Sequence, residues 1–199
     1  MKIPASVIQW LEPEQVALPD ELRAFCGSDF LAACLVRRGI RTVEQARSFL
    51  DPDQYQPASP LDLPDLGKGA LRIWQAIQHQ ECIGVWGDFD VDGQTSTTLL
   101  VSVLRQLGGN VIYHIPVRAS ESHGINLPNL KVLIERGAQV VLTCDTGITA
   151  FEAADYCREN NIDLVITDHH TLGLQLPDAY AVINPDRKSV VEGKSVDLG

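Results

Sequence analysis

The sequence predicts an α/β domain built on a parallel sheet and preceded by a small helical region. Three observations carry this. From Cys82 onward, apolar runs near residues 82–87, 111–117, 139–144, 163–167 and 180–184 alternate with helix-patterned stretches near 94–108, 127–137 and 149–160. The runs are apolar throughout rather than at every second residue, the pattern of strands covered on both faces, and regular βα alternation places such strands in parallel. Residues 1–75, by contrast, show only short helical patterns and turns.

In the N-terminal region, Leu31 to Arg38 reads as a helix with Gly39 as its stop. Thr42 and Gln45 have the spacing of a capping box for the next helix, which Pro52 should end after Phe49-Leu50-Asp51. Gln56 to Pro64 contains three prolines and reads as a linker, followed by a helix over Leu71 to Gln80. The apolar residues Trp10, Leu31, Leu35, Phe49 and Leu50 are expected to pack on the α/β domain. The α/β domain is expected over 76–187, after a helical region and linker over 1–75. Lys188 to Gly199 breaks the βα rhythm and lacks an apolar face. It looks like translated adapter read-through and is expected to be a non-native tail, a natural surface loop being the alternative.

Composition narrows the function. The chain has 199 residues, 45% of them hydrophobic, and a net charge of −10. That length accommodates one substantial domain with a small appendage. No apolar run approaches the ~18 residues of a membrane span, and the N-terminus lacks a signal peptide's basic and apolar regions. The five cysteines are odd in number and widely spaced, without CxxC, as expected of reduced thiols in a cytoplasmic protein. A negative chain has no general basic coat for nucleic acid, although bound cations and a local basic groove can still take up phosphates.

The chemistry concentrates at three apolar runs. Cys82-Ile83-Gly84-Val85-Trp86 runs into Gly87-Asp88-Phe89-Asp90-Val91-Asp92-Gly93, with carboxylates at alternate positions. Val140 to Cys144 runs into Asp145, and Leu164 to Thr167 runs into Asp168-His169-His170. Carboxylates this close repel one another, and burying them unpaired costs several kcal/mol each, so divalent cations are expected among them. In parallel α/β sheets, ligands gather at the carboxyl ends of the strands, where all three motifs fall. Carboxylates suit Mg²⁺ or Mn²⁺ and imidazole suits Mn²⁺ or Zn²⁺, so the mixture favours Mn²⁺ with Mg²⁺ as substitute.

Other readings of these residues are weaker. An EF-hand loop counted from Asp88 needs Glu at its twelfth position, which here is Leu99, and it needs a helix rather than a strand before it. A P-loop needs Gly-Lys-Ser/Thr, which does not follow. Asp145 alone could cap a helix, as could Thr146 or Thr149. Adjacent histidines are commonly a surface accident, and the acidic run could be a solvated turn. Cys144 and Cys157 lack the ligand spacing of a zinc site, and the cysteines read as small core residues.

GDFDVDGQTST, VVLTCDTGI and VITDHH resemble the first three motifs of the DHH phosphoesterase superfamily, in the version of its RecJ single-stranded-DNA-specific exonucleases. The resemblance runs from about Leu31 to Pro185. It is weaker to the pyrophosphatase and nanoRNase-like branches, which carry a histidine where this chain has Trp86. It implies Asp90 and Asp92 as metal ligands and Asp145 as a ligand or a bridge between two ions. Asp88 would be a further ligand or a partner to one, His169 a ligand, and His170 a ligand or a donor to the scissile phosphate. Asp168 would orient a histidine, and Arg118 would contact phosphate. The implied activity is two-metal hydrolysis, with Mn²⁺ or Mg²⁺, that removes nucleotides from the 5′ end of single-stranded DNA in recombination and repair. The chain stops before the family's fourth motif and its downstream domains, so it is expected to be an N-terminal fragment with little or no activity of its own. A phosphodiesterase acting on short oligonucleotides or cyclic dinucleotides, and an inactive metal- or nucleic-acid-binding remnant, are the alternatives.

Overall fold

A computed structural model describes residues 15–187 apart from Gln56 and Ser122. Trp10 and the segment from Lys188 to Gly199 lie outside the described residues. The chain divides into two compact units, the first ending at Pro57 and the second beginning at Ala58.

The first unit holds helices α1 (Asp20–Cys26), α2 (Asp29–Arg37) and α3 (Val43–Leu50). Ser28 caps α2, and Thr42 and Gln45 form the full capping box of α3. Gly39 follows α2 at φ 81°, a left-handed turn that suits glycine. Leu22, Leu35, Val36 and Ala46 make a small core, with Leu31 and Cys26 against it. Phe49 and Leu50, expected to pack on the α/β domain, are 59% and 44% exposed. They fall on the outer side of α3, whose buried residue is Ala46.

The second unit is a five-stranded sheet in the order β2-β1-β3-β4-β5, every pairing parallel. Its strands are β1 (Cys82–Trp86), β2 (Asn110–His114), β3 (Val140–Thr143), β4 (Asp163–Thr167) and β5 (Ala181–Ile183), and its helices are α4 (Leu66–Gln78), α5 (Val91–Gln106), α6 (Leu127–Glu135) and α7 (Phe151–Glu159). Strand side chains alternate between two cores. Ile83, Val85, Val140, Leu142, Val165 and Ile183 join Ile73 and Ile77 of α4 and Val101 and Leu104 of α5 on one face. Trp86, Val141, Leu164, Ile166 and Val182 join Leu130 and Leu133 of α6 and Ala153 and Cys157 of α7 on the other. The predicted α/β class, with a parallel sheet and a helical region before it, is the observed one.

Helix α4 starts at Leu66, inside the stretch expected to lie between linker and helix, after a short 3-10 turn over Pro60–Asp62. Asp65 precedes it in a left-handed conformation, φ 59°, which turns the chain out of Pro64 into the helix. The Asp65 carboxylate accepts from Val182 N at 3.2 Å and pairs with Arg187 Nη1 at 2.6 Å, and Arg187 also donates to the Val182 carbonyl. At the opposite end of the sheet, Arg72 of α4 donates to Asp163 and Glu81, both at 2.6 Å, joining the starts of β4 and β1.

Candidate metal centre

Strand order explains why the three motifs meet. After β1 the chain moves to one side to form β2 and then crosses to the other side to form β3, so β1, β3 and β4 lie side by side. Neighbouring strands are about 4.8 Å apart, so residues just past their carboxyl ends fall within one metal's reach. A threonine clasp holds two of these ends in register. Thr167 N donates to Thr143 Oγ1 at 3.2 Å, Thr167 Oγ1 donates to the Thr143 carbonyl at 2.6 Å, and Thr143 Oγ1 donates to the Thr146 carbonyl at 2.7 Å.

Past β1, Asp88 is buried and its Oδ1 accepts from Phe89 N at 2.7 Å. Asp90 caps α5, accepting from Gly93 N at 2.9 Å. That bond, before the approach of other groups, holds its carboxyl below the ordinary range. The cap also starts α5 at Val91, three residues ahead of the sequence expectation. Gly93 is packed so tightly that a Cβ there would lie 2.5 Å from the Asp88 carbonyl oxygen. The glycine thus lets the first turn of α5 settle against the residue that carries one carboxylate.

Past β3, Asp145 is unusual in three respects. Its φ is 61°, a left-handed conformation uncommon outside glycine and asparagine. Its side chain is 7% exposed, with Oδ1 paired to His169 Nε2 at 2.9 Å. Its Oδ2 is buried without any hydrogen-bond partner. Burial first, and the Asp90 charge second, push its carboxyl upward, while the histidines act in the opposite sense.

Past β4, Asp168 is buried and ties the site together. Its Oδ1 accepts from His170 N at 3.0 Å and lies 2.7 Å from His170 Nδ1, and its Oδ2 accepts from Ile148 N at 2.9 Å. The hydrogen bond to Asp168 raises the pKa of His170. His169 and His170 are themselves exposed, with ring centroids 4.8 Å apart.

Ligand atoms of Asp145, His169 and His170 lie within 4.8 Å of one another, and so do those of Asp88, Asp90 and Asp145. The two groups share Asp145. Mixed carboxylate and imidazole donors, with a buried oxygen left without a partner among them, fit divalent cations such as Mn²⁺ or Mg²⁺. Asp92, exposed on the first turn of α5, belongs to neither group. Arg118 lies over the Phe89 ring at 5.2 Å, and the His123 ring lies 4.7 Å from it. Cys144 and Cys157 are core residues at 2% and 1% exposure. Cys144 Sγ lies 3.3 Å from Thr97 Oγ1, and burial pushes the Cys157 thiol up to about 12. Sequence reasoning missed Glu121 and His114, which meet at 2.9 Å beside the site.

Residues 82–196 match the family model of the DHH family, N-terminal domain. The chain belongs to the DHH family. Among its relatives, the single-stranded-DNA-specific exonuclease RecJ of Bacillus subtilis is 36% identical over 183 residues, 91% of this chain and 23% of that protein. The RecJ of Haemophilus influenzae is 41% identical over 141 residues, 70% of this chain and 23% of that protein. A crystal structure of exonuclease RecJ bound to manganese superposes with a TM-score of 0.62 at 32% identity, covering 68% of this chain and 35% of that one. RecJ from Thermus thermophilus in complex with Mn²⁺ gives a TM-score of 0.60 at 29% identity, covering 85% of this chain and 24% of that one. This DHH chain spans about a quarter of the length of the curated relatives it matches. Among the described residues, no helix is long and apolar enough to cross a membrane.

Proposed function

We propose that this chain supplies the metal-binding half of a phosphodiesterase that removes nucleotides from the 5′ end of single-stranded DNA, with a place in DNA recombination and repair in the cytoplasm. One observation carries the reading. Two donor groups share Asp145, whose Oδ2 is buried and unpartnered. A hydrolase that places two cations on one phosphodiester calls for such a shared carboxylate.

In this reading Asp88, Asp90 and Asp145 hold one cation, and Asp145, His169 and His170 hold the other, Mn²⁺ or Mg²⁺ in each place. The place of Asp92 in the ligand set rests on the resemblance alone. Bound cations would acidify a water and neutralise charge on the phosphate in the transition state. The residues of the chain do the rest. Asp168 fixes the His170 ring through Nδ1, leaving Nε2 directed away from Asp168 for a cation or a phosphate oxygen. The same carboxylate holds Ile148 N, so the segment after Asp145 cannot drift from the strand that bears the histidines. Arg118, with its guanidinium on Phe89 between Asp88 and Asp90, is placed to receive an incoming phosphate.

A groove for the strand matters as much as the site. Hydrolysis needs the strand held in line, and a misplacement of about 1 Å can cost ~10²-fold in rate. With a net charge of −10 the chain offers little general attraction for DNA. The expected result is no processive digestion of a 5′-labelled single strand by residues 1–199 in Mn²⁺, but Mn²⁺-dependent release of nucleotides once the further length of the curated relatives is supplied. Asp145→Asn in the extended protein should abolish that release. Release of labelled nucleotide by the Asp145→Asn protein at the unaltered rate would refute the shared-carboxylate mechanism. Vigorous digestion by the 199-residue chain alone would refute the dependence on a groove.

A further inference from the structure

One polar network beside the metal centre has no part in holding a cation. Glu121 is a nearly buried carboxylate, its side chain 12% exposed. Its Oε1 accepts from Val117 N at 3.1 Å. Its Oε2 accepts from Asn129 Nδ2 at 2.7 Å and lies 2.9 Å from His114 Nε2. His114 ends β2, and its ring packs against Trp86, the last residue of β1, at a centroid distance of 4.4 Å. Asn129 sits in the first turn of α6. A single carboxylate therefore joins the end of β2, the start of α6, and the turn that opens the connection between them. Burying a carboxylate is unfavourable unless its charge and lone pairs are matched, and the donors and imidazole around Glu121 provide the match.

The connection held in this way faces the acidic cluster. It carries Arg118 and His123, both against Phe89, which lies between Asp88 and Asp90. His123 and Gly124 form one wall of a cavity of about 280 Å³. Asp88, Asp168 and His170 also line it. Phe89 holds the connection through Arg118 and His123, and Glu121 holds it through Val117 N. An exposed arginine side chain gives up much rotamer freedom on being fixed, so a guanidinium held at a defined point needs a rigid support.

We propose that Glu121 is a positioning residue: it fixes the turn that carries Arg118 and His123, and so sets the phosphate-facing wall of the cavity beside the metal centre. What that wall contacts rests on the phosphodiesterase reading, whereas where the wall sits rests on the geometry alone. Glu121 touches neither metal ligands nor substrate. Its removal should therefore leave cation binding intact while loosening the hold on phosphate.

Two measurements separate these parts, made on the 199-residue chain with Glu121→Ala and, as a variant that keeps an acceptor oxygen, Glu121→Gln. By hydrogen–deuterium exchange, Glu121→Ala should speed exchange of the amides over 117–124 about tenfold or more, with β1, β3 and β4 unchanged and Glu121→Gln intermediate. Unchanged protection over 117–124, or equal loss throughout the sheet in both variants, would overturn the proposal. By fluorescence anisotropy with a 5′-phosphorylated oligothymidylate in Mn²⁺, Glu121→Ala should weaken binding about tenfold, the order carried by one lost hydrogen bond to a charged group. Mn²⁺ affinity measured without DNA should stay within about twofold. The double variant with Arg118→Ala should bind no more weakly than Arg118→Ala alone, because both act through one contact. Full additivity of the two losses would overturn it. If the unaltered chain bound no oligonucleotide in Mn²⁺, the groove would be needed for binding as well as for digestion, and the exchange measurement alone would decide whether Glu121 sets the turn.

Discussion

Gly93→Ala tests how closely the fold and the metal centre depend on each other. The backbone at Gly93 is ordinary helix, so alanine is conformationally allowed there, and by intrinsic propensity it should stabilise α5 by up to about 1 kcal/mol. The surroundings oppose it. The new Cβ would lie 2.5 Å from the Asp88 carbonyl oxygen and 2.6 Å from the Asp88 carbonyl carbon and Cα. Comfortable separations are about 3.5–4.0 Å, and backbone atoms cannot swing aside as a side chain can, so the first turn of α5 must move outward by roughly 1 Å. Overpacking of this kind costs about 1–3 kcal/mol, which exceeds the propensity gain. For a net loss of about 1–2 kcal/mol, at about 2–4 °C per kcal/mol for a chain of this size, the melting temperature should fall by roughly 2–8 °C. Mn²⁺ affinity should fall with it, because the displaced turn separates Asp88 from Asp90. Gly67→Ala is the matched control. It sits in the first turn of α4 with nothing within 4 Å of the added carbon, so it should raise the melting temperature by about 1–3 °C and leave Mn²⁺ binding alone. A thermal melt and a calorimetric Mn²⁺ titration of the two variants decide the matter. Equal melting temperatures for both would show that close approach is not what requires glycine at position 93.

Three further outcomes follow from the same geometry. Asp145→Asn keeps a residue type that tolerates the left-handed φ of 61° and removes the charge buried beside Asp90. The metal-free protein should melt no lower than the parent while Mn²⁺ binding weakens at least about tenfold by calorimetry, and unchanged binding would exclude a shared site. Arg72→Ala leaves Asp163 and Glu81 facing each other without a cation, and should cost about 2 kcal/mol in denaturant unfolding; a loss under about 0.5 kcal/mol would mean that solvent already screens the pair. Asp65 is held below its ordinary 3.8, since Arg187 and Val182 N outweigh the burial that pushes the other way. Its folded-state pKa is depressed, so its contribution is present above 3.8 and lost as pH falls through the lower folded value. The stability gap between the parent and Asp65→Asn should therefore close as pH drops from about 6 to about 3, and a gap that widened would reverse the sign of the argument.

Much of this was legible in the sequence because strands covered on both faces read as unbroken apolar runs, and because parallel sheets put function at one end. Those two facts place Asp88, Asp90, Asp145, His169 and His170 together before any coordinate is known. The capping box of α3 was readable for a local reason, since both partners lie within one turn. Less was legible where an element depends on distant contacts. Helix α4 begins early because Asp65 is anchored to Val182 and Arg187 across more than a hundred residues, and Gly69 is needed where a Cβ would lie 2.9 Å from Ile183, a contact no local pattern shows. Nothing in the sequence singles out Glu121. Its role exists only once β2 and α6 bring His114 and Asn129 to it. Asp92 shows the converse limit. Alternation along the motif sets its carboxylate beside those of Asp88 and Asp90, but Asp92 lies exposed in the first turn of α5 and joins neither donor group among the described residues, so its place as a ligand rests on the resemblance.

Asp145 is the residue where fold and function are hardest to separate. A left-handed aspartate costs of order 1 kcal/mol or more, a buried oxygen without a partner costs about 1–3 kcal/mol, and a second carboxylate beside it adds repulsion. Any one of these could be a tolerated imperfection. Their coincidence on a single residue, at the end of a central strand and braced by the Thr143–Thr167 clasp, is different, because glycine would remove the strain, the unpartnered oxygen and the repulsion together. The sequence keeps aspartate there. A divalent cation held there would supply the missing partner and turn repulsion between Asp90 and Asp145 into shared attraction. The metal-free domain is thus less stable than its own sheet could support, and the size of that deficit is what cation binding has to offset.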